Sequence, residues 1–267
     1  MNLLEDHLVQ HDREIRGLHK HDFFLVVIFT SGSGFHEIDF NTYEVKPGSI
    51  FMLRPGQTHY WKLSKNSRGY IFFHDQYFYE SPYLKRSVYD FPFYGSIHNP
   101  PFLYLDVELL SGTVVKFKEL LSIYKEAAYM INRRLQSLTD LIYSEISEMY
   151  LLQENVEKVK SNVYLKQFRA FEGLLEEFYR VNRYPSYYAE KMHITPKHLN
   201  RIVKTTIGKS ATELINERVL LEAKRMIVSA VGSLSEIAYS LGFEDYAYFS
   251  RWFKLRTGKE PSKMIKG

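Results

Sequence analysis

No cysteine occurs among the 267 residues, which excludes disulfides and thiolate metal sites and fits a reducing compartment. No run of eighteen apolar residues exists, so no membrane-spanning helix is expected. The N-terminal MNLLEDHLVQHDREIRG has acids early and no apolar core, so no secretory signal is expected and the cytoplasm is the expected location. No phosphate-binding glycine loop, nucleophile–base pair or paired carboxylates stand at catalytic spacing, so an enzyme is not expected. Charge of one sign is scarce too: 35 Lys and Arg against 31 Asp and Glu give only +4.

What is present is apolar and unevenly charged. The length suits two domains of ordinary size, and 45% hydrophobic with 16% aromatic residues fills real cores. Residues 161–267 hold 18 basic and 11 acidic side chains, hence +7, which leaves −3 for the first 160. Such an asymmetry is expected where one domain meets phosphates.

The basic half contains a repeated helical unit. LSEIAYSLGFEDYAYFSRWFKLRTGKEP, Leu234 to Pro261, predicts a short helix over Ser235–Ser240 with Ser235 as N-cap, a turn at Gly242 and a plug at Phe243. A second helix is predicted from Asp245 to Thr257, closed by Gly258 and Pro261. Its Phe249, Trp252 and Phe253 bury themselves, leaving Tyr246, Ala247, Ser250, Arg251 and Lys254 outward. About fifty residues earlier, HLNRIVKTTIGKS (His198 to Ser210) aligns with YFSRWFKLRTGKE (Tyr248 to Glu260). There Ser186 is the expected first N-cap, His193 replaces the turn glycine, and Thr195 with Pro196 opens the second helix. Two helix-turn-helix units are thus expected, over about residues 186–207 and 235–258. Thr212–Ser229 reads as a stiff helix between them.

Ala238, Gly242, Phe243, Phe249, Arg251, Phe253, Lys254, Gly258 and Pro261 match the pattern A-x-x-x-G-F-x(5)-F-x-R-x-F-K-x-x-x-G-x-x-P. This signature resembles the C-terminal domain of the AraC/XylS family of transcription regulators. The resemblance implies double-stranded DNA as partner. Lys197, Asn200, Arg201, Tyr246, Ala247, Ser250 and Arg251 are then the expected base readers, because Arg pairs bidentately with guanine and Asn with adenine. His198, Lys204, Lys209, Lys254 and Lys259 are the expected phosphate contacts, with Lys263 a further one. Arg201 and Arg251 have an alternative role, a salt bridge to Glu213 or Glu244.

The first half reads differently. From Asp22 to Gln76, short apolar runs such as FFLVVIF, FHEIDF, SIFML, THYWKL and YIFF alternate with Gly, Pro and Ser turns. That pattern predicts an antiparallel β-barrel or sandwich. KPGSIFMLRPGQTH, Lys46 to His59, resembles the cupin-like sensor domain found in that same family. The fold expected is therefore α+β multidomain: a cupin-like barrel over residues 1–110, connecting helices over 111–160, and an all-α domain over 161–267. A small-molecule effector is the implied ligand, with Phe24, Phe35, His36, Arg54, His59, Trp61 and Tyr70 as candidate lining. His19, His21 and His59 stand where cupins place metal-binding imidazoles, but Leu25 and Val26 occupy the place of the glutamate. No metal or other cofactor is therefore expected, and these histidines are read as strand caps or mouth-lining hydrogen bonders.

Tyr77–Tyr104 reads as aromatic loops packed on the barrel. Phe117, Leu120, Leu121, Tyr124 and Ala128 form one helical stripe, and Ile131, Leu135, Leu138, Ile142, Ile146 and Met149 form another. One stripe packs on the barrel; the other joins it or forms a self-association face. The resemblance favours a homodimer, with RNA polymerase a further candidate partner. Gln153–Lys160 reads as a polar tether. A constitutive regulator whose barrel only dimerises, and a cupin metalloenzyme fused to a DNA-binding domain, are the alternatives.

Overall fold

The structure, a computed structural model, describes residues 1–11, 17–80, 87–96, 99–153 and 164–264. The tether expected over Gln153–Lys160 lies outside them apart from its first residue. Contacts divide the chain into Met1–Val156 and Glu157–Gly267.

The first unit holds two antiparallel sheets. Strands β1 (Asn2–Leu3), β3 (Phe24–Ser31), β6 (Ser49–Leu53), β8 (Arg68–His74) and β9 (Phe102–Tyr104) form one, in the order β1-β8-β3-β6-β9. Strands β2 (His19–Lys20), β4 (Gly34–Ile38), β5 (Asn41–Val45) and β7 (Thr58–Leu63) form the other, in the order β2-β7-β4-β5. The unbroken apolar run of β3 is explained by burial on both faces. Leu25, Val27 and Phe29 meet Ile38, Val45 and Trp61 between the sheets. Phe24, Val26 and Ile28 point the other way, onto a helical layer.

That layer is α4 (Val107–Tyr124) and α5 (Ile131–Gln153). The helix begins six residues before Thr113, because the Asp106 carboxylate accepts the Leu109 N–H as an N-cap. Phe117, Leu120 and Leu121 lie with Leu138, Ile142 and Ile146 against the five-stranded sheet, whereas Tyr124 is exposed and Ala128 falls beyond the helix end. Short helices α2 (Gln76–Tyr79) and α3 (Pro92–Gly95) carry Tyr79 and Tyr94 into that core, as the aromatic-loop reading expected. An N-terminal helix, α1 (Leu4–Gln10), was not anticipated; Leu4 anchors it between the sheets.

The second unit is all-helical: α6 (Leu165–Phe178), α7 (Pro185–Lys191), α8 (Pro196–Ile207), α9 (Ala211–Val228), α10 (Leu234–Ser240) and α11 (Tyr246–Thr257). Phe171, Leu199, Leu214, Val219, Phe249 and Phe253 are fully buried in its core. Two expected caps are corrected. Ser233, not Ser235, caps α10, because Glu236 three residues into the helix returns a bond to the Ser233 N–H and completes a capping box. Pro185 starts α7 one residue before Ser186, and the N-cap Tyr184 supplies no side-chain bond.

Candidate nucleic-acid interface

The two turns are built alike. Gly242 has φ +75°, and the following Phe243 N–H donates back to the Ala238 carbonyl at 3.0 Å. His193 has φ +54°, and the Ile194 N–H donates back to the Ala189 carbonyl at 2.9 Å. Histidine thus accepts the left-handed conformation that glycine takes in the second unit. Gly242 also answers to space: a Cβ there would stand 2.7 Å from the Arg180 carbonyl oxygen.

Each second helix then starts from a side-chain cap. Thr195 accepts the His198 N–H at 3.2 Å ahead of Pro196, and Asp245 accepts the Tyr248 N–H at 2.6 Å. Each ends on a left-handed glycine, Gly208 or Gly258. On α8, Leu199, Ile202 and Val203 are buried, leaving Lys197, Asn200, Arg201 and Lys204 exposed. On α11, Phe249, Trp252 and Phe253 are buried, whereas Ala247, Arg251 and Lys254 are exposed and Ser250 is half-buried. Tyr248 and Leu255, neither of them singled out in the sequence, are exposed on the same helix, Leu255 by 83%.

Some expected contacts are already engaged. The Asn200 Oδ1 accepts the Ala211 N–H at 3.1 Å. Asn200 thereby ties α8 to the start of α9 while remaining exposed, its Nδ2 amide still able to donate outward. Tyr246 packs in part against the core and is only half-exposed. Lys209 holds both Glu217 carboxylate oxygens at 2.8 Å, with both side chains about two-fifths exposed. Lys254 meets Glu260 at 2.9 Å, but both are well exposed, and such pairs exchange readily for other partners. Arg201 bonds neither Glu213 nor Glu244; its Nη2 lies 2.6 Å from His198 Nδ1. Among the described residues, no hydrogen bond or ion pair holds the side chains of Lys197, Arg251 and Lys259.

Between the two turns, α9 carries an ionic core that periodicity did not reveal. Arg218 is 5% exposed. Its Nε donates to Glu176 at 2.9 Å and its Nη1 to Glu222 at 3.1 Å, while the guanidinium lies 3.8 Å from the Tyr179 ring centre. Arg180 and Arg225 approach Glu222 at 2.7 and 3.7 Å. Burial opposes ionisation of Glu222, yet Arg218 and Arg225 outweigh it and hold the carboxyl below its ordinary range. Trp252 Nε1 donates to Asn216 Oδ1 at 3.2 Å, joining α11 to the same helix.

In the first unit the candidate ligand residues separate by strand face. Phe24 and Tyr70 lie on the helical side of the five-stranded sheet, because alternation along β3 and β8 turns them away from the interior. Phe35 pairs across from Lys62 and packs its ring on Tyr60, on the outer face of the four-stranded sheet. Arg54 lies just past the end of β6 and reaches the Tyr94 carbonyl at 3.4 Å. None of these four faces the space between the sheets. His36, His59 and Trp61 do face it. His36 and His59 are fully buried, and burial lowers both imidazole pKa values well below the ordinary range. His36 Nε2 and His59 Nδ1 share a hydrogen bond at 3.0 Å. The other ring nitrogen of each, and Trp61 Nε1, are buried without a partner.

Comparison with known proteins bears on both units. A helix-turn-helix domain model matches residues 188–267, and a model of the AraC-like ligand binding domain matches residues 4–74. The chain belongs to the AraC/XylS family of transcription regulators. Among similar proteins, the transcriptional activator RhaS of Pectobacterium carotovorum is 22% identical over 92% of this chain and 86% of its own length. The activator Btr of Bacillus subtilis is 24% identical over 86% of this chain and 42% of its own. ToxT of Vibrio cholerae O395, a solved structure, is 15% identical over 94% of this chain and 93% of its own, with a TM-score of 0.47. As a member of this family the chain is a DNA-binding transcription regulator with a ligand-binding domain ahead of its helix-turn-helix units. No helix among the described residues is long and apolar enough to cross a membrane.

Proposed function

We propose that this regulator reads one specific duplex site by laying α8 and α11 in successive turns of the major groove, about 34 Å apart. The observation that carries the reading is the repeated turn: two helices with matching caps, matching positive-φ turns and exposed basic faces, braced on one helix, α9. Arg251 and Lys197 are the principal base readers, since both are exposed and unengaged, with Ala247 and Ser250 beside Arg251. Arg201 joins them by leaving His198. Lys204, Lys254 and Lys259 hold phosphates, as does His198, and set register rather than sequence preference.

Control comes from a small effector bound in the cytoplasm. The buried, unpartnered nitrogens of His36 and Trp61 supply the polar contacts of its site, among Phe51 and Tyr43. The protein acts as a homodimer and contacts RNA polymerase; its chemistry is binding rather than catalysis.

Selection from a random duplex library with the full chain tests the DNA reading. Two short conserved blocks about one helical turn apart are expected. A single block, or enrichment that follows salt alone with no shared sequence, overturns it. Thermal-shift screening with sugars and small metabolites tests the effector. A stabilising compound whose effect is lost in Trp61→Phe is expected; stabilisation untouched by that change removes the site from the barrel interior.

A further inference from the structure

The histidines dismissed on sequence grounds come together in space. Strand β2 pairs with β7 so that His19 stands directly opposite His59, and His21 follows two residues on. Ring centres of His19 and His59 are 4.3 Å apart, those of His21 and His59 5.1 Å, and those of His19 and His21 4.9 Å. One ligand nitrogen from each of the three lies within 4.8 Å of the other two.

In His19 and His59 one ring nitrogen is hydrogen-bonded and the other is buried without a partner. His19 Nδ1 donates to the Gly17 carbonyl at 2.9 Å. This fixes the tautomer whose Nε2 is a bare acceptor, and that Nε2 is buried with no partner. His59 is fully buried, its Nδ1 bonded to His36 and its Nε2 likewise unpartnered. With His59 as donor in that bond, its Nε2 also presents a lone pair. A metal-binding imidazole whose second nitrogen donates to a carbonyl or neighbouring ring is the usual supporting arrangement. Leaving buried ring nitrogens unmatched is costly, and a cation at this point would match two of them at once.

We propose that His19, His21 and His59 form a three-imidazole site for a divalent transition-metal ion of the zinc class. Imidazole nitrogen suits Zn2+, Ni2+ and Co2+ and disfavours Mg2+ and Ca2+, which require oxygen. Zinc–nitrogen bonds of about 2.0–2.1 Å in a tetrahedron bring ligand atoms to about 3.4 Å, so the rings turn inward by about an ångström. His19 and His21 are only partly buried, which leaves their side chains room to turn. Leu25 and Val26, at the place of a carboxylate in the sequence pattern, are buried in the sheet core. The ion therefore keeps its full positive charge and one open position, available to water or to an anionic oxygen. This site does not rest on the effector or DNA readings, and its test measures metal uptake alone.

The test uses the full chain without an affinity tag, stripped with chelator. Titration with Co2+ alone is expected to give one saturating equivalent per chain with a four-coordinate visible spectrum, displaced by Zn2+. His19→Gln with His21→Gln should weaken uptake by more than about 100-fold, beyond the cost of losing one outer partner. His11→Gln should leave it unchanged. Nitrogen resonances of His19 and His59 in the unsubstituted chain should shift on adding Zn2+, a readout that needs no variant to fold. The proposal is overturned if Co2+ uptake is unsaturable, if the double variant retains it, or if those resonances stay still.

Discussion

Replacing Arg218 with methionine removes the charge at the centre of the ionic core that braces α9. The guanidinium is 5% exposed and holds Glu176 at 2.9 Å and Glu222 at 3.1 Å. Breaking a buried pair from one side costs roughly 3–5 kcal/mol, because the remaining charge is stranded. Here the cost is smaller: Glu222 keeps Arg180 and Arg225, and the Glu176 side chain, 40% exposed, rehydrates. A loss of about 2–3 kcal/mol follows. With a urea slope of about 1.5 kcal/mol per molar, this lowers the midpoint by about 1.3–2 M. The chain has two tryptophans, so Trp61→Phe leaves Trp252, 6% exposed in the second unit, as the sole tryptophan, read by selective excitation. Arg218→Lys keeps the charge but loses the planar fork and the stack on Tyr179, and should fall between. A midpoint moved by less than about 0.5 M at unchanged slope would show that the network contributes little and that apolar packing alone holds α9.

Three further outcomes follow from the same geometry. Gly242→Ala should cost at least about 1–3 kcal/mol by the Trp252 signal, since φ is +75° and the new Cβ meets the Arg180 carbonyl at 2.7 Å; an unchanged midpoint would refute the fixed turn. Arg251→Ala should lose about 1–3 kcal/mol of preference for the selected site over random duplex, whereas Lys254→Ala should weaken both alike and flatten the salt slope; equal losses would void the roles. In the first unit, burial lowers the pKa of His74, partly offset by its bond to the Asp75 carbonyl. Its folded form thus binds its proton only below the ordinary value near 6.5. The unfolded chain then holds more protons in that window, and stability of the unit should fall as pH drops through about 6.5 and below. His74→Gln should flatten part of that decline in thermal melts; an identical decline would assign it wholly to other groups.

How far the fold was legible depended on whether a signal was local. The turns at His193 and Gly242, the cap Thr195 and the helix end at Gly258 are each written in one or two residues and form as expected, while Asp245 caps the helix from one residue outside it. Ser233 was missed for a local reason as well: two serines precede Glu236, and only the one three residues before it closes the box. Interior lining failed because facing depends on register. Phe24 and Leu25 are adjacent and equally apolar, yet β3 is covered on both sides and sends them into different cores. The ionic core of α9 was illegible for a related reason: Arg218 and Glu222 at i and i+4 look like an ordinary solvated pair until Glu176 and Tyr179 arrive from α6 and the residue just after it.

The imidazole cluster shows what spacing alone leaves out. His19 and His21 are read as a pair from their alternation, but His59 joins them only because β2 pairs antiparallel with β7 in the register that sets it opposite His19. Weighing Leu25 and Val26, which are not carboxylates, treats the ligand set as a pattern in sequence. A metal responds instead to how many lone pairs converge and what orients them, and Gly17 and His36 provide that orientation without being chemically notable in themselves. A one-residue slip of β2 would carry His19 to the opposite face of its sheet, so register rather than composition decides whether these rings can share a cation.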